Sequence, residues 1–135
     1  MVSELAGGPK SLSAREKALL LAGLAVDFKA LDLVVLDVTG LSSFADFFVI
    51  CSGKSSRQVQ GIADNIQESL REQGIRPLGI EGHREGQWVL MDYGDVIVHV
   101  FYEPVRLLYD LESLWSEARR VRCDHEGLPE STVVP

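Results

Sequence analysis

The chain has 135 residues, enough for one domain with its own hydrophobic core and too few for two of ordinary size. Hydrophobic residues make up 46% and charged residues 24% of the sequence, which excludes a chain that is disordered throughout. Thirteen Lys and Arg against 20 Asp and Glu give a formal net charge of -7, and because nucleic-acid binding depends on basic surfaces, no direct, sequence-specific nucleic-acid binding is expected.

The two ends of the chain lack the pattern of a folded element. Residues 1–12 include Gly7-Gly8-Pro9 without hydrophobic periodicity, and we predict a flexible tail there. Residues 119–135 are polar and contain two prolines, which predicts a second flexible tail. The folded domain is therefore expected to span residues 13–118.

A helix is predicted over residues 14–28. Ser13 and Glu16 have the Ser-x-x-Glu spacing of a capping box at its start. The apolar run 18–26 resembles the core of a signal peptide, but Asp27 and Lys29 stand where small cleavage-site residues belong. The run is also too short to span a membrane. A cytoplasmic location without membrane contact is therefore predicted.

Two β-rich runs and a second helix follow. Residues 33–38 are nearly continuous aliphatic and residues 47–51 are equally apolar, as in strands covered on both faces. Ser55 then opens a helix to about residue 73, with Gln58 at the capping-box position. The apolar stripe of this helix recurs at helical spacing and comprises Val59, Ile62, Ala63, Ile66 and Leu70.

The second half of the chain predicts three strands and a final helix. The strands cover residues 77–81, 87–93 and 96–101, with glycine-containing turns between them. Pro104 suits the first turn of a helix that runs in pieces to about residue 119 and is recapped at Asp110. The order α-β-β-α-β-β-β-α predicts a single α/β domain with a mixed five-stranded sheet flanked by helices.

Several patterns suggest catalysis and none is complete. Gly53-Lys54-Ser55 lies between a strand and a helix, but a phosphate-binding loop needs a glycine where Phe48 stands. No Asp-x-Asp pair falls on a predicted strand. His99 lies within a strong strand, where a structural histidine is the commoner explanation. We therefore predict that the protein is not an enzyme and uses no cofactor.

The two cysteines predict neither a disulfide nor a metal site. Cys51 lies in an apolar strand and Cys123 in the predicted polar tail, so their contexts differ. Cys123-x-His125 supplies two metal ligands, whereas structural zinc needs four. No metal is expected.

The large aromatic side chains are concentrated in the second half of the chain: Trp88, Tyr93, Tyr102, Tyr109 and Trp115. Alternation along a strand places Trp88 on one face and Tyr93 on the other. One face must cover the core, so rings on the other face are available for a protein partner. For Trp88 a core role and a surface role remain equally open.

Several segments together resemble the ribosomal silencing factor (Iojap-like) family over about residues 14–118. The segments are SFADFFVICSG at 43–53, SSRQVQGIAD at 55–64, PLGIEG at 77–82, WVLMDYGDVIVHVF at 88–101 and YDLESLW at 109–115. The resemblance implies a nucleotidyltransferase-like fold without the catalytic acids. It also implies binding to the large ribosomal subunit through its protein fourteen, which blocks subunit joining and represses translation under nutrient limitation.

The family pattern also implies the contact residues. By position, these are Trp88, Tyr93 and Tyr109, with Asp92, Asp95 and Glu112 as partners for basic residues of the ribosomal protein. Late assembly of the large subunit and, as a remoter alternative, a small nucleotidyltransferase activity remain open. Homodimerisation is also left open.

Overall fold

A computed structural model of the chain describes residues 12–123, which form one sheet with helices on both faces. The elements in chain order are α1 Ala14–Asp27, β1 Leu31–Asp37, β2 Phe47–Gly53, α2 Ser56–Glu72, β3 Gly79–Glu81, β4 Trp88–Asp92, β5 Val96–Tyr102, α3 Glu103–Tyr109, α4 Leu111–Leu114 and β6 Arg119–Arg120. None of the described helices is long and apolar enough to cross a bilayer.

The two long helices begin where their capping residues predict. The Ser13 hydroxyl accepts from the Glu16 N–H while Glu16 accepts from the Ser13 N–H, so the predicted capping box of α1 is confirmed. In α2 the Ser55 hydroxyl accepts from the Gln58 N–H at 3.0 Å. The Gln58 side chain reaches one residue further back than a capping box requires, to the backbone N–H of Lys54.

The sheet is mixed and has six strands in the order β3-β4-β5-β2-β1-β6. Strands β2 and β5 are parallel, and α2 and the β3–β4 hairpin connect them in the chain. The other neighbouring pairs are antiparallel. The prediction of five strands is therefore wrong by one strand, because it did not include β6. The final helix is divided at Asp110, as predicted, where φ is 50°, although the Asp110 side chain makes no capping hydrogen bond. It is shorter than predicted, because α4 ends at Leu114 and not at about residue 119.

The sixth strand corrects the predicted domain boundary. Arg119 and Arg120 pair with Asp37 and Leu36 of β1, and Val121 and Cys123 are buried in the core. Residues 119–123 therefore belong to the domain and not to a flexible tail. The rest of that predicted tail and nearly all of the predicted N-terminal tail lie outside the described residues.

The two faces of the sheet are covered differently. The first face packs against α1 and α2 and forms the larger core, with Val49, Met91 and Val98 fully buried. The second face carries a smaller cluster around Phe48, Ile50 and Phe101, covered by the short α3 and α4. We call these the helix face and the open face.

A tight turn fixes the start of β4. Gly82 has a φ of 83°, and a Cβ atom there would overlap the carbonyl oxygen of Trp88. Glycine is therefore required where the turn passes Trp88, since other residues meet both a backbone clash and an unfavourable φ. This turn places Trp88 at the edge of the open face.

Candidate protein-docking surface

An apolar groove on the open face is built around the ring of Trp88. The ring stacks on Phe101 with centroids 4.9 Å apart and contacts Tyr109 of α3, also at 4.9 Å. The groove has a volume of about 330 Å³ and is lined by Gly82, Glu85, Gln87, Trp88, Val105, Leu108 and Tyr109. We call it the Trp88 groove.

Helix α3 exposes apolar side chains beside this groove. Leu108 is 78% exposed and Tyr109 58% exposed. Leu107, one residue earlier, is 81% exposed. Adjacent exposed apolar side chains next to a partly buried tryptophan are typical of a protein interface, because their burial on binding stabilises the complex.

The Trp88 ring is held at its N–H edge by a histidine. The Trp88 indole Nε1 donates to His99 Nδ1 at 3.1 Å. Burial lowers the pKa of His99 to about 4, so the imidazole is neutral at pH 7. A neutral, buried ring whose Nδ1 already accepts a hydrogen bond serves to support Trp88 and is poorly placed to act as a catalytic base.

The predicted acidic contacts have different surroundings. Asp92 lies on the same face of β4 as Trp88, roughly 13 Å further along the strand, and its Oδ1 accepts from the Gly94 N–H at 2.8 Å. Asp95 lies in the turn after β4 and pairs with Lys17 of α1 at 2.8 Å. Both residues are half-exposed, Asp92 on the open face and Asp95 while it pairs with Lys17 of α1.

Tyr93 does not lie on the docking surface. Its side chain is 4% exposed and packs into the core of the helix face. Burial raises the pKa of Tyr93 to about 12, and its hydroxyl has no hydrogen-bond partner among residues 12–123. The prediction that this ring contacts a partner is corrected, because alternation along β4 turns it to the face that α1 and α2 cover.

Glu112 belongs to a structural network on the other side of α3. Arg106, only 8% exposed, donates to both carboxylate oxygens of Glu112 at 3.1 and 2.8 Å and to the Ser52 hydroxyl at 2.8 Å. Glu112 lines a cavity of about 920 Å³ that also includes Trp115 and Arg120. The structure therefore separates Glu112 from Trp88 and Tyr109, the two predicted contacts that it brings together.

The turn before α2 uses its backbone donors internally. The Lys54 N–H donates to Gln58 Oε1 at 2.6 Å, and the Ser55 hydroxyl accepts from the Gln58 N–H. Within residues 12–123, no group of three His, Cys, Asp or Glu side chains is arranged to hold a metal ion. Cys51 and Cys123 are both buried, and His125 of the Cys-x-His pair lies outside the described part of the chain.

Sequence reasoning gave His99 a structural role but missed its contact with Trp88, and it missed the exposure of Leu108. The turn between β4 and β5 fixes a register that pairs Leu90 with His99 and Trp88 with Phe101. That register places the His99 and Trp88 side chains diagonally on one face, within reach of each other. The contact between His99 and Trp88 could have been predicted from the Gly94 turn and the alternation of both strands. Nothing in the local sequence indicated that Leu108 would be exposed.

Comparison with known proteins gives consistent relatives. The family model described as "Ribosomal silencing factor during starvation" matches residues 11–133. A ribosomal silencing factor of Halalkalibacterium halodurans is 46% identical over 98 residues, which cover 73% of this chain and 84% of the relative. A crystal structure of a Chromobacterium violaceum protein has a TM-score of 0.75 at 34% identity and covers 89% of this chain and 97% of its own.

A more distant relative carries a different name. The mouse protein named "Mitochondrial assembly of ribosomal large subunit protein 1" is 26% identical over 122 residues, which cover 85% of this chain and 54% of that protein.

Proposed function

The chain belongs to the ribosomal silencing factor family, and we propose that it docks on the large ribosomal subunit and keeps the small subunit from joining. The observation that carries this proposal is the Trp88 groove, with Leu108 and Tyr109 exposed beside a supported indole ring. Such an arrangement offers a large apolar contact at low entropy cost. By occupying the surface on which the subunits meet, the protein represses translation under nutrient limitation.

We propose a basic ribosomal protein as the direct partner, and protein fourteen of the large subunit as its identity. The net charge of -7 attracts a basic protein surface and is repelled by bare RNA. Asp92 on the open face and Glu85 at the groove are the carboxylates placed to meet Lys or Arg around an apolar anchor. The identity of the ribosomal protein rests on the family resemblance.

The proposal includes no catalytic activity, although the family resemblance implies a nucleotidyltransferase-like fold. The internal hydrogen bonds of Lys54 and Gln58 support it, because these backbone groups are the ones that a phosphate at the start of α2 would use. Titration calorimetry with ATP and magnesium tests this point. Heat from specific binding would favour the transferase alternative.

Late assembly of the large subunit is the second candidate function, and the name of the mouse relative favours it. A silencing factor binds mature large subunits, whereas an assembly factor is needed for their maturation. Depleting the protein in growing cells separates the two. Accumulated large-subunit precursors would support assembly, and normal subunits with unrestrained translation in starvation would support silencing.

Co-sedimentation with purified subunits tests the proposed docking. At physiological salt, the cytoplasmic protein of this proposal travels with isolated large subunits and not with small subunits. Light scattering of the free protein, run in parallel, reports whether two copies instead pair through the same groove. Protein that stays at the top of the gradient, or that follows both subunits equally, would contradict specific docking.

A further inference from the structure

We infer that His99 is the positioning residue of the Trp88 groove, holding the indole so that the partner meets the carbon atoms of the ring and not its N–H group. This inference rests on the proposed function, because it states what kind of contact the groove makes. It assigns His99 a role through Trp88, without direct contact with the partner.

The geometry ties the histidine to one hydrogen bond. His99 is 4% exposed in β5, and its Nδ1 accepts from Trp88 Nε1 at 3.1 Å. Phe48 meets the imidazole edge-on, with ring centroids 4.9 Å apart at 77°, and Phe101 lies nearly parallel to it at 6.3 Å. These aromatic rings pack against the imidazole, whose acceptor atom lies at the N–H edge of the indole.

The proton arrangement of His99 follows from this bond. An imidazole nitrogen that accepts a hydrogen bond is unprotonated, so in the neutral ring the proton is on Nε2. Burial keeps the ring neutral, since the pKa of His99 is lowered to about 4. The acceptor is therefore available at any pH near neutrality.

The second ring nitrogen of His99, Nε2, shows that a histidine at this position has an energetic cost. Nε2 of His99 is buried and has no hydrogen-bond partner among residues 12–123. A buried donor without a partner destabilises the folded state, and an apolar residue would fill this position without that cost. The bond to Trp88 is the one hydrogen bond of the His99 side chain within residues 12–123 that offsets this cost, which indicates that the position is specialised for supporting the indole.

The partner chemistry follows from the occupied N–H. Because Trp88 Nε1 already donates to His99, a partner group gains nothing by accepting from it. Trp88, Leu108 and Tyr109 give the groove a mainly apolar lining, with Glu85 and Gln87 beside it. The side chain that enters beside Trp88 is thus expected to be apolar, with the basic residues of the partner placed around it.

Two substitutions separate the hydrogen bond from the aromatic packing. His99→Phe keeps a ring but removes the acceptor, whereas His99→Asn keeps an acceptor near the position of Nδ1 and removes the ring. Losing a neutral hydrogen bond of this kind is expected to weaken binding to large subunits roughly 3- to 10-fold for His99→Phe. His99→Asn should restore the affinity to within about twofold of the unsubstituted protein, within the scatter of such bonds.

The indole resonance of Trp88 provides a readout in the free protein. In a ¹H–¹⁵N spectrum the chain has two tryptophan signals, and Trp88→Phe identifies the one from Trp88. His99→Phe should shift this signal and speed its solvent exchange, and His99→Asn should leave it protected. If His99→Phe does not fold, slow exchange of the Trp88 N–H in the unsubstituted protein carries the test, and exchange as fast as in a free indole would overturn the inference.

A double substitution shows whether His99 acts through Trp88. In a Trp88→Phe background there is no indole N–H, so adding His99→Phe should cause no further loss of affinity. A folded His99→Phe variant with unchanged affinity, or an equal loss with and without the indole N–H, would overturn the positioning role. If the unsubstituted protein fails to bind large subunits while the Trp88 signal behaves as expected, the proposed function fails and the support of the indole by His99 stands.

Discussion

Trp88 and Tyr93 illustrate how one strand sends two large side chains to opposite environments. Trp88 is half-buried at the Trp88 groove, whereas Tyr93 is sealed beneath the helices. The alternation itself is readable from the sequence. Which face α1 and α2 would cover is not readable, because it depends on the path of the chain between distant elements.

Tyr93→Phe tests the corrected position of this residue. Removing a buried hydroxyl without a partner among the described residues should leave stability unchanged or raise it by up to about 1 kcal/mol. Affinity for large subunits should not change, because the ring is on the far side of the sheet. Urea unfolding and co-sedimentation measure the two effects, and a large loss of affinity in the folded variant would return Tyr93 to the interface.

Tyr109→Ala tests the groove at its most exposed ring. Truncating an interface aromatic is expected to cost about 2 kcal/mol, or roughly 30-fold in affinity for large subunits. Loss of its contact with Trp88 should cost no more than about 1.5 kcal/mol of folding stability. Quantitative co-sedimentation of the folded variant measures the affinity.

Phe44→Ala is the matched control for Tyr109→Ala. Phe44 is 80% exposed and precedes the start of β2. Trp88 is in register, through Phe101 of β5, with Ser52 at the opposite end of β2. Removal of the Phe44 ring should leave the affinity unchanged. Equal losses for the two variants would point to a general effect of surface aromatics and count against the Trp88 groove.

The buried His99 predicts a specific dependence of stability on pH. Its folded-state pKa is about 4, below the value of about 6.5 in an unfolded chain, so the unfolded state binds more protons between these values. The contribution of His99 to the free energy of unfolding is therefore fully present above pH 6.5 and is lost as the solution is acidified towards pH 4. Between pH 7.5 and pH 5 this group alone should remove about 2 kcal/mol.

His99→Asn isolates that contribution from the titrating carboxylates, which both proteins share. Denaturant unfolding at several pH values should give a steeper acid loss for the unsubstituted protein than for the variant. Parallel curves would show that the imidazole is not held neutral in the folded state.

At the scale of elements, α3 is anchored by a partly buried ion pair. Arg106 joins α3 to Glu112 of α4 and to Ser52 of β2. Glu112→Gln keeps the size of the side chain but leaves Arg106 without its counter-charge, and we expect a loss of about 2 kcal/mol, below the range for a fully buried pair. Urea unfolding monitored by circular dichroism measures this loss.

Asp110→Asn provides the control for the charge itself. Asp110 is an exposed carboxylate two residues before Glu112 and has a φ of 50°, which asparagine tolerates well. Its substitution should change stability by less than about 0.5 kcal/mol. Similar losses in the two variants would mean that the Arg106 network does not hold α3.

The elements that could be predicted are those with local signals. The starts of α1 and α2 follow from Ser13 and Ser55, whose side chains satisfy nearby backbone donors, and Val96–Tyr102 follows from its β-branched and aromatic residues. Strand β6 could not be predicted, because two arginines become a strand only by pairing with the edge of β1. The meeting of Trp88 and Tyr109 likewise depends on where α3 crosses the sheet.

At the scale of the whole molecule, the sheet is asymmetric. One face is covered by two long helices, and the other is covered only by α3 and α4, which leave Leu107, Leu108, Tyr109 and Leu114 exposed. Together with a net charge of -7, this asymmetry suits a domain that places one apolar face on a basic protein. A rigid domain bound in this way excludes a second large body from the same surface.

Subunit joining in the presence of the purified protein tests this account most directly. Small and large subunits are mixed at a magnesium concentration that supports joining, and light scattering follows formation of the joined particle as the protein is added. We predict that the unsubstituted protein abolishes joining at saturation, that Phe44→Ala does the same, and that Tyr109→Ala needs roughly 30-fold more protein. Joining at full extent with large subunits saturated by the protein would contradict the account.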